Sequence, residues 1–236
     1  MKFTEVTLNQ ANETYLDIYD SGTQENLPAI IVVPGGGYKK FNDFDSEKVA
    51  ISFLTKGFQA FVIRYAVGEY KDYQQSIQAV NQSVDYIVEH ADDLHVRVDQ
   101  LGMIGLSAGG QLAARYSNTS NNRLRYVVLG YPVITKALDQ GMGVATEDVS
   151  LMVNENTVPT FIFGSRDDTV TPYMDHIHPY EKALYENNVA FEVHIYSTGG
   201  HAYSLANQYT GNGNQRIDHH FASWFPLFME WVQAYL

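Results

Sequence analysis

The chain has 236 residues and carries 27 acidic against 15 basic side chains, a formal charge of −12. A chain of this length buries roughly 70% of its unfolded surface, enough for one large core, and its acidic field repels nucleic acid and anionic lipid headgroups. A hydrophobic content of 45% with 13% aromatics argues against disorder, and the lack of cysteine excludes thiol nucleophiles, thiolate metal sites and disulfides together. Residues 1–6 hold no apolar signal core, and no apolar run approaches the ~18 residues that cross a bilayer. A soluble, cytoplasmic protein folded as a single domain over residues 1–236 is expected.

In chain order, residues 3–8 and 14–19 alternate polar and apolar side chains, the period of half-buried strands, and predict an antiparallel edge hairpin. The pattern then changes. Residues 29–33, 60–63, 101–104, 126–129 and 160–163 are nearly continuous apolar runs, which suit strands covered on both faces of a parallel sheet. Residues 191–196 predict a further strand. Ile77, Val80, Val84, Ile87 and Val88 recur at three- and four-residue steps, so 73–90 predicts an amphipathic helix; the same theme follows Leu112 and Tyr180. The stretch 218–235 predicts a last, aromatic-rich helix that Pro226 kinks or interrupts. Strand and helix alternate throughout, which gives an α/β fold with helices on both faces of a mostly parallel sheet of about eight strands. The polar stretch 207–215 reads as a surface loop.

Two glycine-rich turns carry the chemistry. Gly105-Leu-Ser-Ala-Gly-Gly110 stands between a buried strand and a helix, the setting of a nucleophile elbow built on G-x-S-x-G. Ser107 is then the nucleophile, and the Ala108 N–H at the helix start faces a developing oxyanion. Pro34-Gly-Gly-Gly-Tyr38 follows an earlier strand, and its uncovered amides make Gly36 and Gly37 the other oxyanion donors, with the Tyr38 N–H as a substitute. Phosphate binding is the competing use of such turns, but neither G-x-x-x-x-G-K-[ST] nor G-x-G-x-x-G is present.

A serine hydroxyl needs a base, and the base needs an orienting carboxylate. Of the eight histidines, only His201 follows both a predicted strand and an acidic strand-end loop. In that loop, Gly164-Ser-Arg-Asp-Asp-Thr-Val170, Asp167 is favoured because it stands three residues from each end, with Asp168 read as a turn or cap residue. His176 and His178 form an H-x-H without further ligands at metal spacing, so neither a metal nor another cofactor is expected. Residues 133–157 leave room only for a minimal cap. That predicts soluble short-chain esters as substrates, with Tyr38, Tyr131 and Tyr203 as walls of the substrate site.

On Pro34–Tyr38, Gly57–Tyr65, Gly105–Gly110, Gly130–Thr135, Asp167–Val170 and Gly199-Gly-His201, the chain from about residue 15 onward resembles the α/β-hydrolase serine esterases. It is most similar to a small bacterial group of acetylesterases and xylan-esterase-like proteins. The resemblance implies a Ser107–Asp167–His201 triad, an acyl-enzyme, and short acyl esters, often on sugars. Two positions depart from the group: Pro34 replaces a common His, and Thr171 is inserted before Pro172. A peptidase of the same fold and a catalytically silent binder are the alternatives. The expected partner is a small-molecule ester, neither nucleic acid nor membrane, and a homodimer stays open.

Overall fold

The computed structural model describes residues 1–209 and 216–236, so most of the 207–215 loop lies outside the described residues. The strands are β1 (Lys2–Asn9), β2 (Thr14–Asp20), β3 (Leu27–Val33), β4 (Gln59–Arg64), β5 (Val96–Leu106), β6 (Tyr126–Gly130), β7 (Thr160–Ser165) and β8 (Phe191–Tyr196). They form one eight-stranded sheet in the order β1-β2-β4-β3-β5-β6-β7-β8. β1 pairs antiparallel with β2, and β2 with β4; every later pairing is parallel. The edge hairpin and the apolar central strands therefore lie where their periodicity puts them.

Alternate residues of the central strands feed two cores. Ile31 and Val33 face one side with α2 (Tyr73–Glu89), α3 (Ala108–Ser117) and α5 (Ile177–Glu186). Ile30 and Val32 face the other, with α1 (Glu47–Leu54) and α6 (Trp224–Trp231). Each of these side chains is fully buried, a gain of about 1.5–3 kcal/mol apiece. α2 buries the stripe Ile77, Val80, Val84 and Ile87 and is started by Asp72, whose carboxylate accepts from the Gln75 N–H at 2.8 Å.

The C-terminal segment is shorter in α-helix than the predicted 218–235. Its α-helix begins at Trp224, with 3₁₀ turns at Phe221–Ser223 and Val232–Ala234. Pro226 is its third residue, where the missing N–H would have had no intrahelical partner, so the proline sets where the helix starts rather than kinking it. Between β6 and β7 lie only short pieces, a 3₁₀ turn at Lys136–Leu138, α4 (Asp139–Met142) and a 3₁₀ turn at Val149–Met152. The cap is as small as the length of 133–157 requires. No described helix is long and apolar enough to cross a membrane.

Candidate active site

Ser107 sits on the turn from β5 to α3 with φ 52° and ψ −119°, a conformation that costs a non-glycine residue on the order of 1–3 kcal/mol. Backbone hydrogen bonds on both sides hold it: the Ser107 N–H donates to Gly130 O at 3.0 Å, and Ser107 O accepts from Gly110 at 2.9 Å and Val133 at 2.9 Å. The flanking glycines are needed for lack of space. A Cβ on Gly109 would lie 2.1 Å from Val33 O, and one on Gly105 would lie 2.5 Å from Gly109 O.

Ser107 Oγ is 2.8 Å from His201 Nε2. The other ring nitrogen, Nδ1, is 2.8 Å from Asp168 Oδ2, so the carboxylate behind the histidine is Asp168 and the expectation for Asp167 is corrected. Asp167 is exposed and accepts from the Gly200 N–H at 2.8 Å, holding the loop before His201. Consecutive residues of the turn after β7 point in opposite directions. Only Asp168 points inward, where it is 4% exposed. Its Oδ1 accepts from the amides of Val170 (2.8 Å) and Thr171 (2.9 Å), and its Oδ2 from the Thr171 hydroxyl (2.8 Å). Burial alone would raise its pKa, but the hydrogen bond and charge of His201 and the Thr171 donors outweigh it and hold the carboxyl below its ordinary value. Thr171, the residue that departs from the resembling group, is thus part of the support; its hydroxyl also lies 3.2 Å from His201 Nδ1.

Gly36 and Gly37 line the cavity above Ser107, both at positive φ (125° and 60°), and a Cβ on Gly36 would fall 1.7 Å from Lys40 O. Pro34, where the group commonly has histidine, contributes its carbonyl, which accepts from the Tyr65 hydroxyl at 2.8 Å and ties the glycine loop to β4's end. Ala108 is the first residue of α3, so its N–H has no intrahelical acceptor.

The cavity measures about 360 Å³. Val133, Leu138 and Met142 from the cap and Val170 make an apolar wall, and Asn42, Asp45 and Arg216 are on a polar one. None of the three tyrosines expected to form walls does so. Tyr38 is fully buried edge-on against Tyr65 and Tyr73. Tyr131 is 1% exposed, and Tyr203 packs beside Gly200 and the Phe221 ring. Their rings satisfy the core, which is what most tyrosines in a packed chain do. The H-x-H splits: His176 is buried with Nδ1 accepting from the Ile134 amide at 3.1 Å, whereas His178 lies on the surface of α5 beside Glu181.

A family model named BD-FAE matches residues 16–148, more than half of the chain and a span that includes the glycine loop and the Ser107 elbow. The chain belongs to the BD-FAE family. Its fold is that of the α/β-hydrolases: the crystal structure of MGS-M1, an α/β-hydrolase from a Medee basin deep-sea metagenome library, superposes with a TM-score of 0.90 at 29% identity over 99% of this chain and 97% of that one. An acetyl ester-xyloside bifunctional hydrolase from Caldicellulosiruptor lactoaceticus does so with a TM-score of 0.85 at 25% identity, over 99% and 96%. The acetylxylan esterase of Xylanibacter ruminicola is 24% identical over 200 residues, 75% of this chain. The chain spans 33% and 41% of the length of the two curated relatives it matches.

In this BD-FAE chain one further acidic residue reaches the site without any sequence signal. Asp45 precedes α1, is 1% exposed, and accepts a hydrogen bond from the Tyr131 hydroxyl at 2.8 Å through Oδ1. Burial pushes its pKa up to about 6, against the lowering effects of the Tyr131 hydrogen bond and the charges of His201 and Arg216. Tyr131 in turn accepts from the Ser204 N–H at 3.2 Å and packs edge-on against His201, with ring centroids 5.2 Å apart. Nothing in the Asn42–Ser46 stretch distinguishes this aspartate from Asp43 beside it.

Proposed function

We propose that this chain is a serine carboxylic-ester hydrolase for short-chain acyl esters, acetyl esters first among them and acetylated carbohydrates included. The observation that carries the reading is the unbroken 2.8 Å relay from Ser107 Oγ through His201 to Asp168, opening onto a cavity with a short apolar wall. The names of its relatives, an acetylxylan esterase and an acetyl ester-xyloside hydrolase, support the acyl group.

In acylation His201 Nε2 takes the Ser107 proton as Oγ attacks the ester carbonyl, a contribution of typically ~10²–10⁴-fold. Asp168 keeps the imidazole proton on Nδ1, so that Nε2 is free to accept, and stabilises the imidazolium once formed. The amides of Gly36, Gly37 and Ala108 hold the oxyanion, each such donor being worth ~10²–10³-fold. The alcohol leaves with the proton from His201. Water, deprotonated by the same nitrogen, then attacks the acyl carbonyl and releases the acid. The apolar wall of Val133, Leu138, Met142 and Val170 is the place for the acyl chain, and a cavity of about 360 Å³ that must also hold the alcohol limits that chain to a few carbons.

Ser107→Ala is expected to abolish p-nitrophenyl acetate hydrolysis without unfolding the protein, and a fluorophosphonate probe is expected to label Ser107 in the wild type. More than a few per cent residual activity in the variant, or labelling elsewhere, would overturn the assignment.

A further inference from the structure

The relay and the oxyanion amides leave Asp45 without a role, although a buried carboxylate is costly unless its oxygens are paired and hydrogen-bonded. Its Oδ1 is occupied by Tyr131. The Ser204 hydroxyl is near enough to lower the carboxyl's pKa but donates to Phe44 O, and no described residue makes a direct hydrogen bond to Oδ2; the side chain, 99% covered, belongs to the cavity lining beside Ser107 and His201. Oδ2 also lies close to the reacting centre. A Cβ built on Gly35 would meet Asp45 Oδ2 at 2.9 Å and Ser107 Cβ at 3.1 Å, so about 6 Å at most separates the two, and only a glycine at 35 lets the carboxylate approach this closely.

We propose that Asp45 reads the alcohol half of the substrate: Oδ2 accepts a hydrogen bond from a hydroxyl adjacent to the scissile ester, selecting monoacyl esters of neutral polyols over esters of simple alcohols. This rests on the esterase reading of Ser107. The chemistry narrows the ligand group stepwise. An ionised carboxylate only accepts, so its partner must be a donor, a hydroxyl or an ammonium. Lys39 and Arg216 line the same cavity and repel an ammonium, and Asp45 itself repels a carboxylate. A neutral hydroxyl remains. Arg216 suits the next oxygen along: its guanidinium lies over the Phe44 ring at 4.5 Å and one nitrogen donates to Ala202 O at 3.1 Å. The fork is therefore held in place, and among the described residues it makes no ion pair. A separation of no more than about 6 Å between Oδ2 and Ser107 Cβ puts the acceptor within range of a hydroxyl on the carbon next to the one that bears the ester, as in a vicinal diol of a sugar.

The test compares three acetates on one skeleton: trans-2-hydroxycyclohexyl acetate, its 2-methoxy ether and cyclohexyl acetate. A hydrogen bond to a charged group is worth about ten- to a hundred-fold, so wild-type kcat/KM is expected to be at least tenfold higher for the hydroxy ester than for the other two. In Asp45→Leu both ratios are expected to fall to within about threefold; in Asp45→Asn, where the amide oxygen keeps the Tyr131 contact and the NH₂ donates to a hydroxyl or a methoxy oxygen alike, the hydroxy-to-methoxy ratio is expected to do so. Thermal melts show whether each variant is folded; Asp45→Asn decides if the leucine variant is not. Equal wild-type rates on all three esters, or a hydroxy-to-methoxy ratio unchanged in folded Asp45→Asn, would overturn the proposal. Wild-type turnover of p-nitrophenyl acetate separates the two readings: no turnover of any acetate sinks the esterase, whereas turnover without preference sinks only the role of Asp45.

Discussion

Replacing each of the two adjacent aspartates by asparagine separates their roles most sharply. Asp168 Oδ1 receives two amide protons, from Val170 and Thr171, and Oδ2 receives the Thr171 hydroxyl and His201 Nδ1. An asparagine there has one oxygen for these donors. If it stays with the two amides, the NH₂ faces His201 and drives the imidazole into the tautomer with hydrogen on Nε2, which cannot accept from Ser107. If it turns to His201, two backbone donors face an NH₂ and the turn is strained. Either way the base is lost, and kcat is expected to fall by about 10⁴. Asp167 is exposed and, among the described residues, accepts only the Gly200 amide, which an asparagine oxygen also does. Its variant is expected to keep kcat within about threefold. Initial rates on p-nitrophenyl acetate, with melting curves to show both variants folded, make the comparison. Similar losses at the two positions, or a larger loss in Asp167→Asn, would refute the assignment of the relay to Asp168.

Other predictions follow from packing and charge. Asp45 has its folded pKa raised to about 6 from an ordinary 3.8, so its ionisation opposes folding; the penalty is absent below about pH 4, grows as pH rises through 6, and reaches about 3 kcal/mol. Asp45→Asn should therefore gain stability over the wild type between pH 3.5 and 8 in chemical unfolding, and a pH-independent difference would contradict this. The same ionisation should weaken the preference for the hydroxy ester as pH falls below about 6, with Tyr131, His201, Arg216 and Tyr65 as the titratable or charged groups that face Asp45. Gly109→Ala forces a Cβ against the Val33 and Pro34 carbonyls, backbone that cannot step aside; a loss of about 3 kcal/mol or more is expected, measured by denaturant titration. Met142→Ala shortens the cap wall, and should move the best p-nitrophenyl ester from acetate toward butyrate or hexanoate; an unchanged chain-length profile would remove Met142 from the acyl site.

Much of this site follows from local order in the chain. A buried strand, a small-residue turn and a helix suffice to put Ser107 on a strained turn, because the constraint lies between residues two apart. The same holds for the glycine loop after β3 and for His201 after β8. The periodicities of the strands and of α2 are likewise local, set by which side chains must leave water. What the tertiary structure decided were directions and distant neighbours. Asp167 and Asp168 have the same chemistry and adjoin in one turn, and only the packing of Thr171 and His201 selects the one that points inward. Tyr131, an expected substrate wall from the sequence, instead has its ring against His201 and its hydroxyl on Asp45. Asp45 itself carries no local mark, since its meaning comes from Gly35, Tyr131 and Ser107, contributed by three different strand ends. The acidic total of the chain, finally, foretold an anion-repelling surface, but the cavity mixes Lys39 and Arg216 with Asp45, because the field at a site depends on the few charges the fold brings within a Debye length and not on their sum over the chain.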